Sequence, residues 1–326
     1  MTLRRLTTSG HQKLSLGFGR EALSFLLFFI IMGVIPLQAR ADWSPLIERL
    51  VRDGKDEKRV AELFAHPKTR FDPDPMRFKI QELIRYRFQG PSAEPSARMA
   101  AAYNRFLQYG PISRAYDYAT ENKATLKIIR ERYGVPEEIV VAIMLVETNL
   151  GRNTGSRRAF NTLASMALAH DLDLIRPYLD DGLLTQPIED YARRRCREKS
   201  DWAYQELISL ILYAWNNNMD PLEIPGSVYG AIGLCQFMPS NITPYGVDAD
   251  GDGRIDLFTT EDALHSIGKF LNDHGWKGRM SPDAQYRVIM AYNRSPIYAN
   301  TVLAVAKKIR SMADREELMA GHADRS

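Results

Sequence analysis

The stretch IVVAIMLVETNLG, residues 139–151, decides the fold of this chain. Eight apolar residues run from Ile139 to Val146, and a glutamate follows them directly. On an α-helix, residues four apart lie on the same face, so Ile139, Ile143 and Glu147 form one stripe. The pattern therefore predicts a buried helix that carries a carboxylate on its apolar face.

Glu147 has a possible chemical role and a possible structural one. Burial on an apolar face disfavours the charged form of a carboxyl group and raises its pKa. A carboxyl group that holds its proton near neutral pH can serve as a general acid. The structural alternatives are a cap for a helix N-terminus and a buried ion pair with Arg152, Arg157 or Arg158.

Helical periodicity recurs along the chain. The stretch ATLKIIRERYG, residues 124–134, predicts a helix that ends at its glycine. Another helix is predicted from about Thr259 to Gly275, and a third presents four apolar residues to the core at helical spacing. Those four are Leu207, Leu210, Ile211 and Ala214. Strand-like alternation is scarce, so the fold is predicted to be mainly α.

The first 41 residues have the pattern of a secretory signal. Basic residues precede the apolar run LSFLLFFIIMGVI, residues 23–35, and the triplet ARA ends at Ala41. We expect cleavage after Ala41 and export to the periplasm, without a lipid anchor because no cysteine follows the run. An uncleaved membrane anchor is the alternative, although Gly33 and Pro36 interrupt a run that is short for a membrane span.

The charge balance and the cysteines exclude several classes of function. The chain has 43 basic and 40 acidic residues, and residues 1–41 contain five of the basic and one of the acidic ones. The rest of the chain therefore has 38 basic and 39 acidic residues. A near-neutral chain argues against nucleic-acid binding. The histidines lack metal-ligand spacing, a phosphate loop is absent, and no organic cofactor is expected. Cys196 and Cys235 could pair in an exported protein or remain separate.

Two later stretches carry groups that suit a sugar ligand. Residues 226–246, GSVYGAIGLCQFMPSNITPYG, contain too many glycines for a helix interior, so their backbone is expected to approach another group closely. Gln236 provides both a donor and an acceptor there. Residues 291–298, AYNRSPIY, combine rings that can stack on sugars with an amide that can bond hydroxyl and N-acetyl groups. These residues are Tyr292, Asn293 and Tyr298. Taken alone, either stretch also fits plain packing.

Residues 248–258, DADGDGRIDLF, have the spacing of a calcium-binding loop. Carboxylates at alternate positions around Gly253 suit a hard cation, and the carbonyl of Arg254 falls at the next ligand position. The carboxylates are those of Asp248, Asp250 and Asp252. The twelfth position is Thr259 and not the bidentate glutamate of a standard loop.

Four stretches in this order resemble the lytic murein transglycosylases of the B type. They are YGVPEEIVVAIMLVETNLG, GSVYGAIGLCQFMPS, DADGDGRIDLF and AYNRSPIY. The resemblance covers about residues 119–310 and implies an α+β, lysozyme-like fold that is mainly helical, with an inserted EF-hand-like loop. The expected divisions are a signal at 1–41, a helical N-terminal region at 42–118, a transglycosylase domain at 119–312 and a polar tail at 313–326.

The resemblance also implies roles for individual residues. Glu147 would be the sole acid/base catalyst, and Asp262 would complete the calcium site, although Thr259 and Asp262 also fit a helix capping box. The residues that would bind substrate are Ser227, Gln236, Tyr292, Asn293 and Tyr298. The chain departs from the family at Thr148, where related families often have serine, and at Cys235, where the residue is usually small or apolar.

The implied activity is non-hydrolytic cleavage of the bond between MurNAc and GlcNAc in peptidoglycan, which leaves 1,6-anhydro-MurNAc ends. The expected partners are glycan strands and proteins of cell-wall synthesis or remodelling, and we expect a monomer. A lysozyme-type hydrolase would use the same Glu147 with a water molecule. A non-enzymatic, calcium-dependent wall-binding module is the more distant alternative, and it would have no need of the acid.

Overall fold

Helices dominate the computed structural model, which describes residues 41–90, 93–180 and 182–323. The helices in these ranges are α1 Ser44–Arg52, α2 Glu57–Ala65, α3 Asp74–Phe88, α4 Ala93–Asn104, α5 Tyr109–Glu121, α6 Lys123–Tyr133, α7 Glu137–Thr148, α8 Ala159–Leu168, α9 Gln186–Asn216, α10 Ile242–Tyr245, α11 Thr260–Asp273, α12 Pro282–Tyr292 and α13 Pro296–Ala323. The strands β1 Arg157–Arg158 and β2 Pro225–Gly226 pair antiparallel. The predicted fold class is confirmed.

The stretch that opened the sequence analysis forms α7, a helix enclosed by the rest of the fold. Every residue from Ile139 to Leu145 is buried, and α5, α6, α11 and α13 pack around it. A helix surrounded in this way needs no polar face, which explains its unbroken apolar run. The predicted stripe is confirmed, because Ile139 and Ile143 are in the core.

The other predicted helices also form. Gly134 ends α6 in a left-handed conformation, with φ of 71°. The four apolar residues predicted to face the core are buried in α9, which packs on α8. The helix expected from Thr259 to Gly275 is α11, which begins after Thr259.

The N-terminal helices pack on the elements that follow them. Helix α3 contacts α8 and α9, and Arg157 of β1 forms ion pairs with Asp72 and Asp74 at the start of α3. Helix α13 continues without a break past residue 313, where the polar tail was expected. The domain boundaries stay predictions.

Two features bear on export and redox chemistry. In the described part of the chain, no helix combines the length and apolar character that a membrane span requires. The predicted signal lies outside that part, apart from Ala41. Cys196 and Cys235 are both free and buried, so the two thiols remain separate.

Candidate active site

Glu147 lies in the last turn of α7, and its side chain is half-buried. Burial raises the pKa of its carboxyl group to about 7, and the nearby hydroxyl of Tyr298 opposes this rise. Burial outweighs Tyr298 because a charged carboxylate loses more solvation than one neutral donor restores. The predicted direction of the pKa shift is therefore present in the structure.

The ion-pair alternative for Glu147 is absent among the described residues. Arg157 is engaged with Asp72 and Asp74. The Nε of Arg158 donates to the carbonyl of Leu222 at 3.0 Å, and neither arginine, nor Arg152, forms an ion pair with Glu147. Glu147 is thus a half-buried acid without a cationic partner in the described chain.

Three tyrosines lie near this acid. Tyr298 is only 1% exposed, and its hydroxyl lies near Glu147 without a complete hydrogen bond to any described group. The ring of Tyr292 is parallel to that of Tyr298, with centroids 6.4 Å apart. Tyr103 of α4 meets Tyr298 edge to face at 6.4 Å, and the charge of Glu147 helps to raise its pKa.

Sequence reasoning missed Tyr103. It belongs to the N-terminal region, to which no role was assigned, and its approach to Glu147 depends on the packing of α4 and α13. No local pattern signals such a long-range contact. Tyr103 is half-buried, so part of its surface can still meet a ligand.

The glycine-rich segment is tied to the end of α7. The hydroxyl of Thr148 donates to the carbonyl of Leu234 at 2.9 Å and accepts from the amide of Gly151 at 3.0 Å. Asn149 and Leu150 both have positive φ, 53° and 61°. Consecutive non-glycine residues rarely adopt this conformation, and it often occurs at functional sites. The chain therefore turns sharply directly after the acid.

Gln236 is held in a fixed orientation beside this turn. Its backbone has a φ of 50°, and its side-chain nitrogen donates to the carbonyls of Thr154 at 3.3 Å and Gly233 at 2.9 Å. Its Oε1 accepts no hydrogen bond from the described residues. The amide oxygen therefore remains available to a donor on a ligand.

Ser227 organises the start of the same segment. Its hydroxyl accepts hydrogen bonds from the backbone amides of Tyr229 at 3.3 Å and Ala231 at 3.0 Å. The preceding Gly226 pairs with Arg157 in the short sheet. Ser227 consequently shapes the loop, and its hydroxyl proton is still free to donate.

The late stretch supplies one positioned ring and one exposed amide. The hydroxyl of Tyr292 donates to the carbonyl of Cys235 at 2.6 Å, which ties α12 to the segment that carries Gln236. Asn293 ends α12 in an extended conformation and is exposed. Its side chain makes no hydrogen bond within the described chain. The structure thus brings Glu147, Tyr298 and Tyr292 together, and Tyr292 bonds the residue that precedes Gln236. Asn293 follows Tyr292 directly in the sequence.

The acidic loop brings three carboxylates together. Ligand oxygens of Asp248, Asp250 and Asp262 lie within 4.8 Å of one another. Asp262 is 1% exposed, and burial, together with Asp248 and Asp250, raises its pKa. Asp252 is outside this group, and its carboxylate accepts from the amide of Arg254 at 2.8 Å.

The capping-box alternative for Asp262 is wrong. Thr259 makes no side-chain cap, and its hydroxyl donates to the carbonyl of Asp256 at 2.9 Å. The carboxylate of Asp262 instead accepts from the amides of Ala249 at 2.8 Å and Asp256 at 2.7 Å. Hydrogen bonds from the acidic loop, and not helix capping, therefore hold the side chain of Asp262 in place.

The fold and the site together define a mainly helical, lysozyme-like protein with a half-buried carboxyl group, that of Glu147, at its candidate site. Residues 38–285 match the family described as Transglycosylase SLT domain. The chain belongs to this family.

Several known proteins are similar to this chain. Membrane-bound lytic murein transglycosylase B of Escherichia coli (strain K12) is 30% identical over 186 residues, which are 57% of this chain and 44% of that protein. The chain thus matches less than half the length of that relative. Soluble lytic transglycosylase SltB1 from Pseudomonas aeruginosa has a TM-score of 0.62 at 24% identity, over 83% of this chain and 99% of SltB1.

Two further solved structures contain ligands. Escherichia coli Slt35 in complex with calcium has a TM-score of 0.64 at 22% identity, over 84% of this chain and 94% of Slt35. Pseudomonas aeruginosa SltB3 in complex with NAG-anhNAM-pentapeptide has a TM-score of 0.62 at 18% identity, over 83% of this chain and 80% of SltB3. At these identities, the likeness concerns the fold.

Proposed function

We propose that the protein is a lytic transglycosylase that cleaves the bond between MurNAc and GlcNAc in peptidoglycan. The observation that carries this proposal is Glu147, a half-buried acid with a pKa of about 7. Two-carboxylate glycosidases need a second acidic group beside the scissile bond. No carboxylate of the described chain contributes to the pKa shift of Glu147, which favours a route with one acid.

In this route Glu147 acts twice. Its proton passes to the glycosidic oxygen as the bond to C1 breaks, while the N-acetyl group of the substrate stabilises the positive charge that develops there. The resulting Glu147 carboxylate then removes the proton from the C6 hydroxyl as that oxygen bonds to C1. The product is a 1,6-anhydro ring, and no water is consumed.

Neighbouring residues would hold the sugar in place. The free Oε1 of Gln236 suits a hydroxyl or N-acetyl N–H group, and the exposed amide of Asn293 can bond a second such group. We assign Tyr298 to positioning Glu147, because its ring is almost fully buried. Tyr103 would add a half-buried ring on the N-terminal side.

The experiment compares wild type with Glu147→Gln on purified peptidoglycan. Glutamine keeps the shape of the side chain but cannot transfer a proton, so turnover should fall by roughly 10²- to 10⁴-fold while binding persists. Wild-type products should be lighter by one water than lysozyme products and should take up no ¹⁸O from labelled solvent. Reducing ends carrying ¹⁸O would indicate a hydrolase instead. Binding without cleavage by wild type would indicate a wall-binding module.

We also propose that the acidic loop binds Ca²⁺. The three carboxylates have ligand oxygens within 4.8 Å of one another and repel one another, and a hard divalent cation would offset most of their charge. Asp248, Asp250 and Asp262 would hold the ion, while Asp252 and the carbonyl of Arg254 remain predicted ligands. The ion would stabilise the loop without taking part in the reaction.

We further propose that the protein acts in the periplasm as a monomer. The sequence at 1–41 supports export, and a wall substrate requires it. N-terminal sequencing of the native protein should find Asp42 first. A start at Met1 would favour an anchored form.

A further inference from the structure

Tyr229 connects the Ser227 loop with the N-terminal region. Its backbone amide donates to the hydroxyl of Ser227 at 3.3 Å. Its side chain extends to α3, where the phenol donates to Glu82 at 3.4 Å. The ammonium of Lys79 lies 4.2 Å from the centre of the ring. One face of the loop is therefore bordered by charged side chains of α3.

The charges at this border do not balance. Lys79 pairs with Glu82 at 2.7 Å, and Arg195 of α9 pairs with Glu198. Lys199, also on α9, has no ion pair in the described chain, although it is half-buried. Its ammonium lies 5.5 Å from the ring centre of Trp202. Helices α3 and α9 pack together, and both Lys79 and Arg195 act electrostatically on Lys199. These three cations share the border with two carboxylates that are already in ion pairs.

The pKa of Lys199 reflects its surroundings. Burial lowers this pKa, the charges of Arg195 and Lys79 lower it further, and the charges of Glu198 and Glu82 oppose the shift. A half-buried ammonium that lacks an ion-pair partner costs free energy in the folded state. A ligand with a negative charge would relieve both the repulsion and the lost solvation.

Resting on the proposed function, we infer that Lys79 and Lys199 bind a carboxylate of the peptide that peptidoglycan carries on its glycan strand. Sugars are neutral and give an ammonium pair no advantage, whereas the peptides have free carboxylates. The loop that carries Ser227 would hold the sugar, and the peptide attached to it would lie against the border of α3 and α9. The N-terminal region would then select glycan that still bears its peptides.

The experiment measures kcat/KM on two glycans of equal strand length. One carries its peptides, and an amidase has removed them from the other. Wild type should prefer the first. Lys199→Met and Lys79→Met should each lower kcat/KM on the peptide-bearing glycan by roughly 5- to 10-fold. This loss lies between the loss expected for an exposed ion pair and that for a buried hydrogen bond to a charged group. On the glycan without peptides, both variants should have the kcat/KM of the wild type.

Two controls separate binding from structure. Lys127→Met removes an equal charge from α6, where the lysine is 62% exposed and 3.9 Å from Glu131, and should change neither rate. Lys199→Met should also keep or raise the melting temperature, because it removes an unpaired, half-buried charge. In wild type, the preference for peptide-bearing glycan should weaken with added salt.

The outcomes distinguish the inference from the function. Equal losses on both glycans would overturn the inference and leave the lysines as supports of the loop. A wild-type enzyme that cleaves both glycans without preference would also overturn it. If wild type cleaves neither glycan, the proposed function is wrong, and the inference is wrong with it.

Discussion

The hydroxyl of Thr148 bonds the carbonyl of Leu234 at 2.9 Å, across 86 positions of the sequence. Thr148 directly follows Glu147, and Leu234 lies two residues before Gln236. One hydroxyl therefore sets the distance between the proposed acid and the amide proposed to bind the sugar. The residue that departs from the expected serine keeps the oxygen that this contact needs.

Thr148→Val should lower both stability and activity. Valine keeps the shape of threonine but leaves the carbonyl of Leu234 and the amide of Gly151 without their partner, at a cost of about 1–3 kcal/mol. A shift of the acid by ~1 Å can reduce turnover by as much as ~10²-fold. Urea unfolding and the rate on peptidoglycan measure the two effects.

Thr148→Ser should retain most of both properties, because serine keeps the hydroxyl. Thr120→Val is the matched control, since the exposed hydroxyl of Thr120 bonds only the carbonyl of Tyr116 in its own helix. A Thr148→Val enzyme with wild-type kinetics would show that this link does not position the acid.

The rate should fall as pH rises through about 7. Glu147 must be protonated to donate to the glycosidic oxygen, and its pKa is about 7, so the active form is lost above that pH. Tyr298→Phe removes the hydroxyl that lowers this pKa, and the alkaline limb of the pH profile of kcat/KM should move to higher pH.

Glu138→Gln is the control for this profile. Glu138 lies on the same helix, burial also raises its pKa, and it pairs with Arg310 at 2.8 Å. Its replacement should leave the alkaline limb in place. If the alkaline limb moves in Glu138→Gln and not in Tyr298→Phe, the titrating group is Glu138 and not Glu147.

Glu147→Gln should be more stable than wild type above neutral pH. The folded-state pKa is raised from 4.5 to about 7, so the folded protein holds a proton that the unfolded chain has released within this window. Wild-type stability therefore falls as pH rises from 4.5 to 7, by up to about 3 kcal/mol at roughly 1.4 kcal/mol per pH unit. Urea unfolding at pH 4.5 and pH 8 should show the difference between the two proteins growing with pH.

Local patterns predicted the helix, its buried stripe and the direction of the pKa shift of Glu147. These depend on neighbours in sequence, because the i, i+4 ladder sets the burial of Ile139, Ile143 and Glu147 together. The expectation that the four sequence stretches contribute to one site came from their resemblance to the B-type transglycosylases, since no single stretch specifies a partner.

The contacts of individual side chains were beyond such patterns. Tyr103 reaches Tyr298 through the packing of α4 on α13, and Thr148 meets Leu234 across a long insertion. The alternative capping box for Asp262 fitted the spacing, but its carboxylate accepts from the amides of Ala249 and Asp256. These tertiary contacts exclude the capping box, which the spacing alone allowed.

Calcium should raise the melting temperature of the wild type. A ligand that binds only the folded state adds about 2.7 kcal/mol when its concentration is 100 times its Kd. Asp262→Asn should abolish most of this increment, because its carboxylate belongs to the group of three. Asp252→Asn should lose less, since its carboxylate is outside that group.

The variants are compared by the rise in melting temperature on adding calcium. The carboxylate of Asp262 also accepts hydrogen bonds from two backbone amides, so Asp262→Asn will lower the melting temperature even without calcium. Asp283→Asn, in the first turn of α12, should keep the full increment. Titration calorimetry would give the affinity directly. A wild-type melting curve that a chelator leaves unmoved would exclude the site.

Gly155→Ala should destabilise the protein and disrupt the loop of Ser227. Gly155 has a φ of 101°, and an added Cβ would lie 2.1 Å from the carbonyl oxygen of Gly226, so the two segments must separate. The left-handed conformation alone costs about 1–2 kcal/mol, and the overlap should bring the total to roughly 3 kcal/mol or more.

Gly54→Ala is the control that measures the cost of the left-handed conformation alone, because Gly54 has a φ of 78° and no atom within 4 Å of its Cβ position. Urea unfolding of the two variants should differ by at least ~1 kcal/mol, and only Gly155→Ala should lose activity below its melting temperature. Equal costs in both variants would mean that the segment after Glu147 and the Ser227 loop are not in close contact.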